Sequence, residues 1–292
     1  MVNKRFGHPD PPSSCSGVFM FKKKVSKAAA AIVTGAGSGI GQAFALELAR
    51  RGGRVVCSDI NLATAEATAA TITASGGQAL ALQCDVSDLA SVEKLAAQSE
   101  QWLQGPVDLV VNNAGVGIGG RPIGEISIED WHWTVGVNMW GVIHGCHVFA
   151  PKLRALGRGG IINVCSTASF AAAPMMGPYN VTKAAVLALS ETLKAEMTGS
   201  GVAVTALCPT FVKTNIMTNG RMPASTTKMA QRLMEWTGVS AESVVKTTLN
   251  ALDKNQLYVL PQLDARMVWR MKRLAPASYN RGSGLMARFM AS

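Results

Sequence analysis

The sequence predicts a doubly wound α/β fold on a parallel sheet. Three observations carry that expectation. Short apolar, strand-like runs alternate with segments of helical periodicity along most of the chain. The first run ends in clustered glycines that open onto a helix, and the second ends in an acid, Asp59. The 292 residues and their 48% hydrophobic content suit one such domain with additions at both ends.

Ala29 to Val33 reads as the first strand and Gly41 to Arg51 as the first helix. Arg54 to Asp59, Ala79 to Cys84 and Val107 to Val111 read as the next strands, separated by helices over Leu62 to Ala74 and Ser87 to Trp102. Ile128 to Gly157 is mostly helical, Gly160 to Cys165 a strand, and Pro178 to Thr198 a long helix. Val202 to Cys208 and Leu257 to Leu260 complete the strands, with helical patches in a Met- and Thr-rich stretch over 209–240. Strand–helix alternation of this kind builds βαβ units with helices on both faces of the sheet.

The net charge of +10 lies at the ends. Residues 1–27 and 264–292 each hold six basic residues and one acidic residue, whereas 28–263 holds sixteen of each and is neutral. A nucleic-acid binder needs a basic stripe on its folded domain, so no nucleic-acid partner is expected. Residues 1–27 read as a basic, disordered leader, rich in Pro and Ser and lacking the apolar stretch of a secretory signal. Residues 28–263 read as the domain, and 264–292 as a basic amphipathic extension. In that extension Met267, Val268, Met271 and Leu274 share a helical face, with Arg266, Arg270 and Arg273 on the other side. Leu285, Met286, Phe289 and Met290 repeat the theme after a Pro/Gly break. Such a helix suits packing on the protein as a lid or subunit contact, or peripheral contact with an anionic membrane. No apolar run is long enough to span a bilayer, and the expected location is cytoplasmic. The six cysteines lack ligand spacing and read as reduced core thiols. His144 and His147 share a helix face with no third ligand spaced to them, so no metal is expected.

The glycine turn runs Thr34-Gly35-Ala36-Gly37-Ser38-Gly39-Ile40-Gly41. Its spacing is TGxxxGxG rather than GxGxxG, because position 40 is Ile. Backbone N–H groups in such a turn can approach a pyrophosphate at a helix N-terminus. Asp59, followed by Ile60, stands eighteen residues past Gly41. A carboxylate there accepts hydrogen bonds from the ribose hydroxyls of an adenosine and repels a 2′-phosphate, which favours NAD over NADP.

Tyr179 and Lys183 lie four apart at the start of the long helix, on one face. A neighbouring ammonium favours the phenolate and would lower the tyrosine pKa from about 10 toward neutrality. Tyr179 could then act as base for alcohol oxidation or acid for carbonyl reduction. Ser166, thirteen residues before Tyr179, follows a strand whose C-terminal end faces the ligand crevice of such a sheet. Its hydroxyl could bond a substrate oxygen, with Ser169 as a less well spaced alternative.

Together with Asn112-Asn113-Ala114-Gly115 and Asn138, these residues resemble the short-chain dehydrogenase/reductase family over about Ala29 to Leu260. The resemblance implies a Rossmann fold and a tetrad of Asn138, Ser166, Tyr179 and Lys183. In it Tyr179 is the acid/base and Ser166 orients the substrate. Lys183 holds the nicotinamide ribose and lowers the tyrosine pKa, and Asn138 holds a relay water. It further implies that Gly35, Ser38, Gly39, Ile40, Gly41, Asp59, Ile60, Asp85, Val86, Asn113, Ala114 and Gly115 contact the dinucleotide, as do Tyr179, Lys183, Pro209, Val212 and Thr214. The stretch Pro209 to Thr214 resembles the segment that grips the nicotinamide carboxamide, departing from it in Thr210, where glycine is common.

The resemblance also implies a homodimer or homotetramer, and a substrate cover after Thr214. That cover holds Ile216, Met217, Met222, Met229, Leu233, Met234 and Trp236, with Met175 and Met176 nearby. Flexible, polarizable methionines suit a bulky apolar alcohol or carbonyl substrate of steroid, retinoid or long-chain type. The alternative is a non-catalytic dinucleotide sensor on the same scaffold, which would have no need of the complete tetrad.

Overall fold

The computed structural model describes residues 24–214, 220–223 and 238–291. Seven parallel strands form one sheet: β1 (Ala30–Thr34), β2 (Arg54–Asp59), β3 (Gln78–Gln83), β4 (Leu109–Asn112), β5 (Gly159–Val164), β6 (Val202–Leu207) and β7 (Tyr258–Val259). Their order is β3-β2-β1-β4-β5-β6-β7. The chain reverses its direction of travel across the sheet between β1 and β4. Ligands bind open parallel sheets at the carboxyl ends of the strands flanking that reversal.

The helices are α1 (Gly39–Arg50), α2 (Leu62–Ala74), α3 (Leu89–Leu103), α4 (Ile128–Val135), α5 (Gly141–Leu156), α6 (Ala168–Ala171), α7 (Gly177–Glu196), α8 (Ala241–Leu252), α9 (Leu263–Leu274) and α10 (Pro276–Ala291). One face of the sheet packs on α1, α2 and α8 through Phe44, Leu48, Ile72, Val244 and Leu249. The other packs on α3, α5 and α7 through Leu95, Phe149, Leu153, Val186 and Leu193. The central strands β4, β5 and β6 are buried at every position, so they show no polar alternation. Asn61, Asp88, Ser127 and Ser240 accept hydrogen bonds from first-turn N–H groups and so fix the starts of α2, α3, α4 and α8.

Sequence and structure differ in four places. Helix α8 fills the expected gap between 240 and Leu257, and its apolar Val244, Val245, Leu249 and Leu252 cover the sheet together with buried Thr248, whose hydroxyl donates to the Val244 carbonyl. The expected helix over 128–157 is interrupted by a π-helical turn, Gly136–Trp140, that carries Asn138. Ordered structure begins before residue 28: the Ser26 N–H and hydroxyl donate to Asp253 at 2.9 and 2.7 Å, so part of the expected leader is docked. Residues 1–23 lie outside the described residues. The extension is two helices divided at Pro276, and Gly282 and Gly284 sit inside α10 rather than at a break. Cys57, Cys84, Cys146, Cys165 and Cys208 are buried free thiols, and burial raises Cys57 and Cys146 to about 12.

Candidate active site

The loops that follow β1, β2, β3, β4, β5 and β6 converge at the carboxyl edge of the sheet and carry the expected site residues. The glycine turn leaves β1 and is tied to the loop after β4. Asn113 Nδ2 donates to the Thr34 carbonyl at 2.9 Å, while Thr34 Oγ1 accepts from the N–H groups of Asn113 and Ala114 at 3.0 and 3.1 Å. Gly39 has a φ of +56°, open to glycine at little cost, and a Cβ there would stand 3.0 Å from Thr214. Thr214 thus faces the turn from the far side. Ser38 caps α1 without a side-chain hydrogen bond, and the first turn carries no acid. These N–H groups at a positive helix end therefore have no side-chain acceptor of their own, which suits a pyrophosphate.

Asp59 ends β2 beside the turn. Its Oδ2 accepts from the Gly37 N–H at 2.9 Å and its Oδ1 from the Asn61 N–H at 3.0 Å, which aims the carboxylate toward the crevice. Ile60 beside it is 63% exposed, an apolar surface next to the carboxylate. Asp85 Oδ1 accepts from the N–H and hydroxyl of Ser87 at 2.9 and 2.7 Å. The Val86 carbonyl stands 2.9 Å from His144 Nδ1, which ties helix α5 to the loop after β3.

Ser166 follows β5 and Tyr179 opens α7, where Pro178 presets the first turn. The Ser166 side chain stands close enough to the Tyr179 phenol to favour its ionised form, and its Oγ accepts the Ala168 N–H at 3.2 Å. Ser169 is buried and its Oγ accepts the Ser166 N–H at 3.3 Å, a supporting role that separates the two serines. Lys183, one turn beyond Tyr179, is buried, donates to the Val164 carbonyl at 2.8 Å, and stands 5.8 Å from the centroid of the Tyr179 ring. Asn138 is buried in the π-helical turn. Its Oδ1 accepts from the Val116 N–H at 2.7 Å and its Nδ2 donates to the Val116 carbonyl at 2.9 Å. Gly115 lies between the two: a Cβ there would come within 3.2 Å of Asn138 Oδ1 and 3.5 Å of Lys183 Nζ.

The electrostatics depart from the sequence expectation. Burial pushes the Tyr179 hydroxyl above its usual value of 10.0, and the Ser166 side chain draws it part of the way back. Burial pushes Lys183 down. Desolvation, rather than the ammonium one turn away, governs the phenol here, because the ammonium is turned to the Val164 carbonyl.

Thr210 keeps a negative φ, so threonine in place of the common glycine brings no left-handed strain. Its N–H donates to Gln262 Oε1 at 3.1 Å, and Gln262 Nε2 donates to the Phe211 carbonyl at 2.9 Å. The Thr210 hydroxyl also bonds Asp264 at 3.1 Å. The sequence reading missed Gln262. A glutamine just past the last strand carries no local signal for a clasp on a loop some fifty residues earlier. Pro209 joins the site through its carbonyl, which accepts the Thr167 N–H at 2.8 Å, and Val212 is buried and bridged to Val239.

The short chain dehydrogenase family pattern matches residues 29–224. The chain belongs to the short-chain dehydrogenase family. A 1-deoxy-11-beta-hydroxypentalenate dehydrogenase of Streptomyces exfoliatus is 35% identical over 259 residues, covering 85% of this chain and 91% of that one. A probable oxidoreductase, EphD, of Mycobacterium tuberculosis is 43% identical over 186 residues; the match covers 63% of this chain and only 31% of that relative's length. Among solved structures, a short-chain dehydrogenase from Burkholderia phymatum in complex with NAD aligns with a TM-score of 0.80 at 33% identity, covering 85% of this chain and 94% of that one. Another from Sphingobium yanoikuyae, in complex with NADPH, aligns at 0.72 and 27% identity, covering 88% and 94%. Family members thus occur with either nicotinamide dinucleotide.

Beside the candidate site of this short-chain dehydrogenase, the Gly120 N–H donates to the Met175 carbonyl at 2.8 Å, joining the loop after β4 to the approach to α7. A cavity of about 260 Å³ beside that junction is lined by Ile118, Arg121, Ile126, Asp130, Arg221 and Met222. Arg221 crosses it to Asp130 at 2.7 Å, so the lining is mixed rather than purely apolar. Ile216, Met217, Met229, Leu233, Met234 and Trp236 of the expected cover lie outside the described residues. Among the described residues, no helix is long and apolar enough to cross a membrane, and no cluster of His, Cys, Asp or Glu could hold a metal ion.

Proposed function

We propose that this protein is an NAD(H)-dependent oxidoreductase that interconverts an alcohol and its ketone or aldehyde. The observation that carries this reading is the convergence of Ser166 and Tyr179, close enough for the serine to act on the phenol, with buried Lys183 and Asn138 behind them. The bound dinucleotide supplies or receives the hydride. In oxidation, Tyr179 takes the alcohol proton onto its phenolic oxygen while the Ser166 hydroxyl holds the substrate oxygen in place. In reduction, the Tyr179 hydroxyl donates that proton. Lys183 donates to the nicotinamide ribose, and Asn138 holds the Val116 backbone and a relay water. Gly35, Ser38, Gly39, Ile40 and Gly41 receive the pyrophosphate. Asp59 and Ile60 receive the adenosine ribose, and Asp85, Val86 and Asn113 to Gly115 line the adenine side. Pro209, Val212 and Thr214 grip the carboxamide.

The carboxylate of Asp59, already aimed by two backbone N–H groups, supports NAD as the dinucleotide. The apolar alcohol or carbonyl compound is the substrate class, supported by Met175, Met176 and Met222 at the substrate side. A homodimer or homotetramer is the expected assembly. The test is Tyr179→Phe, assayed with NAD against a panel of aliphatic, steroid and retinoid alcohols. Turnover should fall by about 10²–10⁴-fold while NAD binding persists. Near wild-type turnover would overturn the assignment.

A further inference from the structure

Helix α9 has two opposed faces. At about 100° per residue, Ala265, Trp269 and Lys272 share one of them. Ala265 is fully buried, and the Trp269 ring meets Phe170 edge-on at 4.8 Å and Tyr258 at 5.0 Å. The helix is therefore docked, but not by the apolar stripe that its sequence advertises. Leu263, Met267, Met271 and Leu274 occupy the opposite face and are 75%, 61%, 54% and 85% exposed. Arg266, Arg270 and Arg273 run along one side of that stripe, and the Arg273 guanidinium is held 3.8 Å from the Trp269 ring centroid. Exposed Arg281 and Arg288 on α10 extend the same charge. From 264 to 291 six cations face one acid.

Charge selects among the occupants of this face. A second copy packed on it about a two-fold axis would bring the same arginine row against this one. The residues at 1–23 carry Lys4, Arg5, Lys22 and Lys23 against Asp10 and are of like sign. An anionic lipid surface supplies both what the stripe and its margin need: acyl chains for the apolar side chains and headgroups for the guanidinium groups. We propose that α9 lies on an anionic membrane surface, with Met267, Met271 and Leu274 in the acyl boundary and Arg266 and Arg270 on the headgroups. Gln262 and Asp264, at the start of the helix, clasp the loop after β6, so the docked helix would hold the crevice close to the lipid. This contact is independent of the alcohol reading, and its test measures vesicle binding rather than activity.

The full chain is sedimented with vesicles of phosphatidylcholine containing about 30 mol % phosphatidylglycerol, and with phosphatidylcholine alone, at about 0.1 M salt. The wild type should bind the anionic vesicles at least about ten-fold more tightly than the neutral ones. The triple variant Met267→Gln/Met271→Gln/Leu274→Gln and the double variant Arg266→Gln/Arg270→Gln should each lose about ten-fold, with melting temperatures little changed, because every altered side chain is exposed and the one bond given up, from Arg266 to the Leu260 carbonyl, is at the surface. Wild-type chain that stays in the supernatant, or variants that bind like wild type, overturns the proposal. So does a triple variant whose sedimenting mass falls while no form binds vesicles, which would assign the face to a subunit contact.

Discussion

The side chain of Gln262 accepts the Thr210 N–H at 3.1 Å, and its amide nitrogen donates to the next carbonyl, that of Phe211, at 2.9 Å. One buried amide thus fixes both backbone polar groups at the bend of the loop proposed to hold the nicotinamide carboxamide. Gln262→Leu removes both partners and leaves those groups unpaired, at a cost of about 1–3 kcal/mol in stability. Steady-state kinetics should give a KM for the dinucleotide raised about ten-fold with a smaller change in kcat. An unaltered KM would show that the loop holds its shape without the clasp.

Asp59 sets the choice of dinucleotide in the proposed function. Asp59→Asn removes the charge and keeps one acceptor for the Gly37 or Asn61 N–H. The ratio of kcat/KM for NAD over NADP should fall by about ten-fold or more, mostly through better use of NADP. Wild-type protein that uses the two equally would remove Asp59 from this role.

The phenol of Tyr179 titrates above its usual value of 10.0 because burial disfavours the phenolate. The other two tyrosines, Tyr258 and Tyr279, are raised as well, again chiefly by burial. A raised value means the neutral phenol persists to higher pH. An ultraviolet titration of the free protein should therefore develop no tyrosinate below pH 10. For the same reason alcohol oxidation, which needs the basic form, should rise with pH through the alkaline range. A tyrosinate appearing near neutrality in wild type, and absent from Tyr179→Phe, would reverse the sign.

Away from the crevice, Glu47 accepts from Arg50 at 2.7 Å and from Arg51 at 2.9 Å, and Arg51 reaches Ser26 and Asp253. The Arg50 hydrogen bond is the main reason that its carboxyl is held down at about 2 instead of 4.5. A depressed value stabilises the fold above pH 4.5, and that stability is lost as pH falls from 4.5 toward about 2. Glu47→Gln should cost about 2 kcal/mol at neutral pH, a figure that allows for the solvent around Arg50. Urea unfolding of the two forms should converge at the acid end.

The fold was legible because each strand and helix announces itself locally. Apolar runs such as Arg54–Asp59, punctuated by glycines and acids, fix the elements, and the right-handed βαβ rule leaves them little choice of order. The glycine turn, Asp59, Ser166, Tyr179 and Lys183 of the candidate site stand out in the sequence for a similar reason: the proposed chemistry needs particular residue types at the ends of particular elements. Helix α8 was less legible, although Ser240 and its apolar spacing mark it, because Thr248 interrupts the apolar stripe on its buried face.

What the amino-acid order determined by itself, then, is the set of elements, their alternation and the reactive groups at their ends. Three matters waited for tertiary structure. Asn138 is aimed by a π-helical turn that differs from its neighbours only in backbone hydrogen bonding. Gln262 acts across a long separation in sequence. The face on which α9 docks was decided by one tryptophan finding Phe170, which left the methionine stripe outside. Periodicity reveals that a helix has an apolar side. Which side meets the protein depends on the shape and charge of the surface that chain folding brings against it.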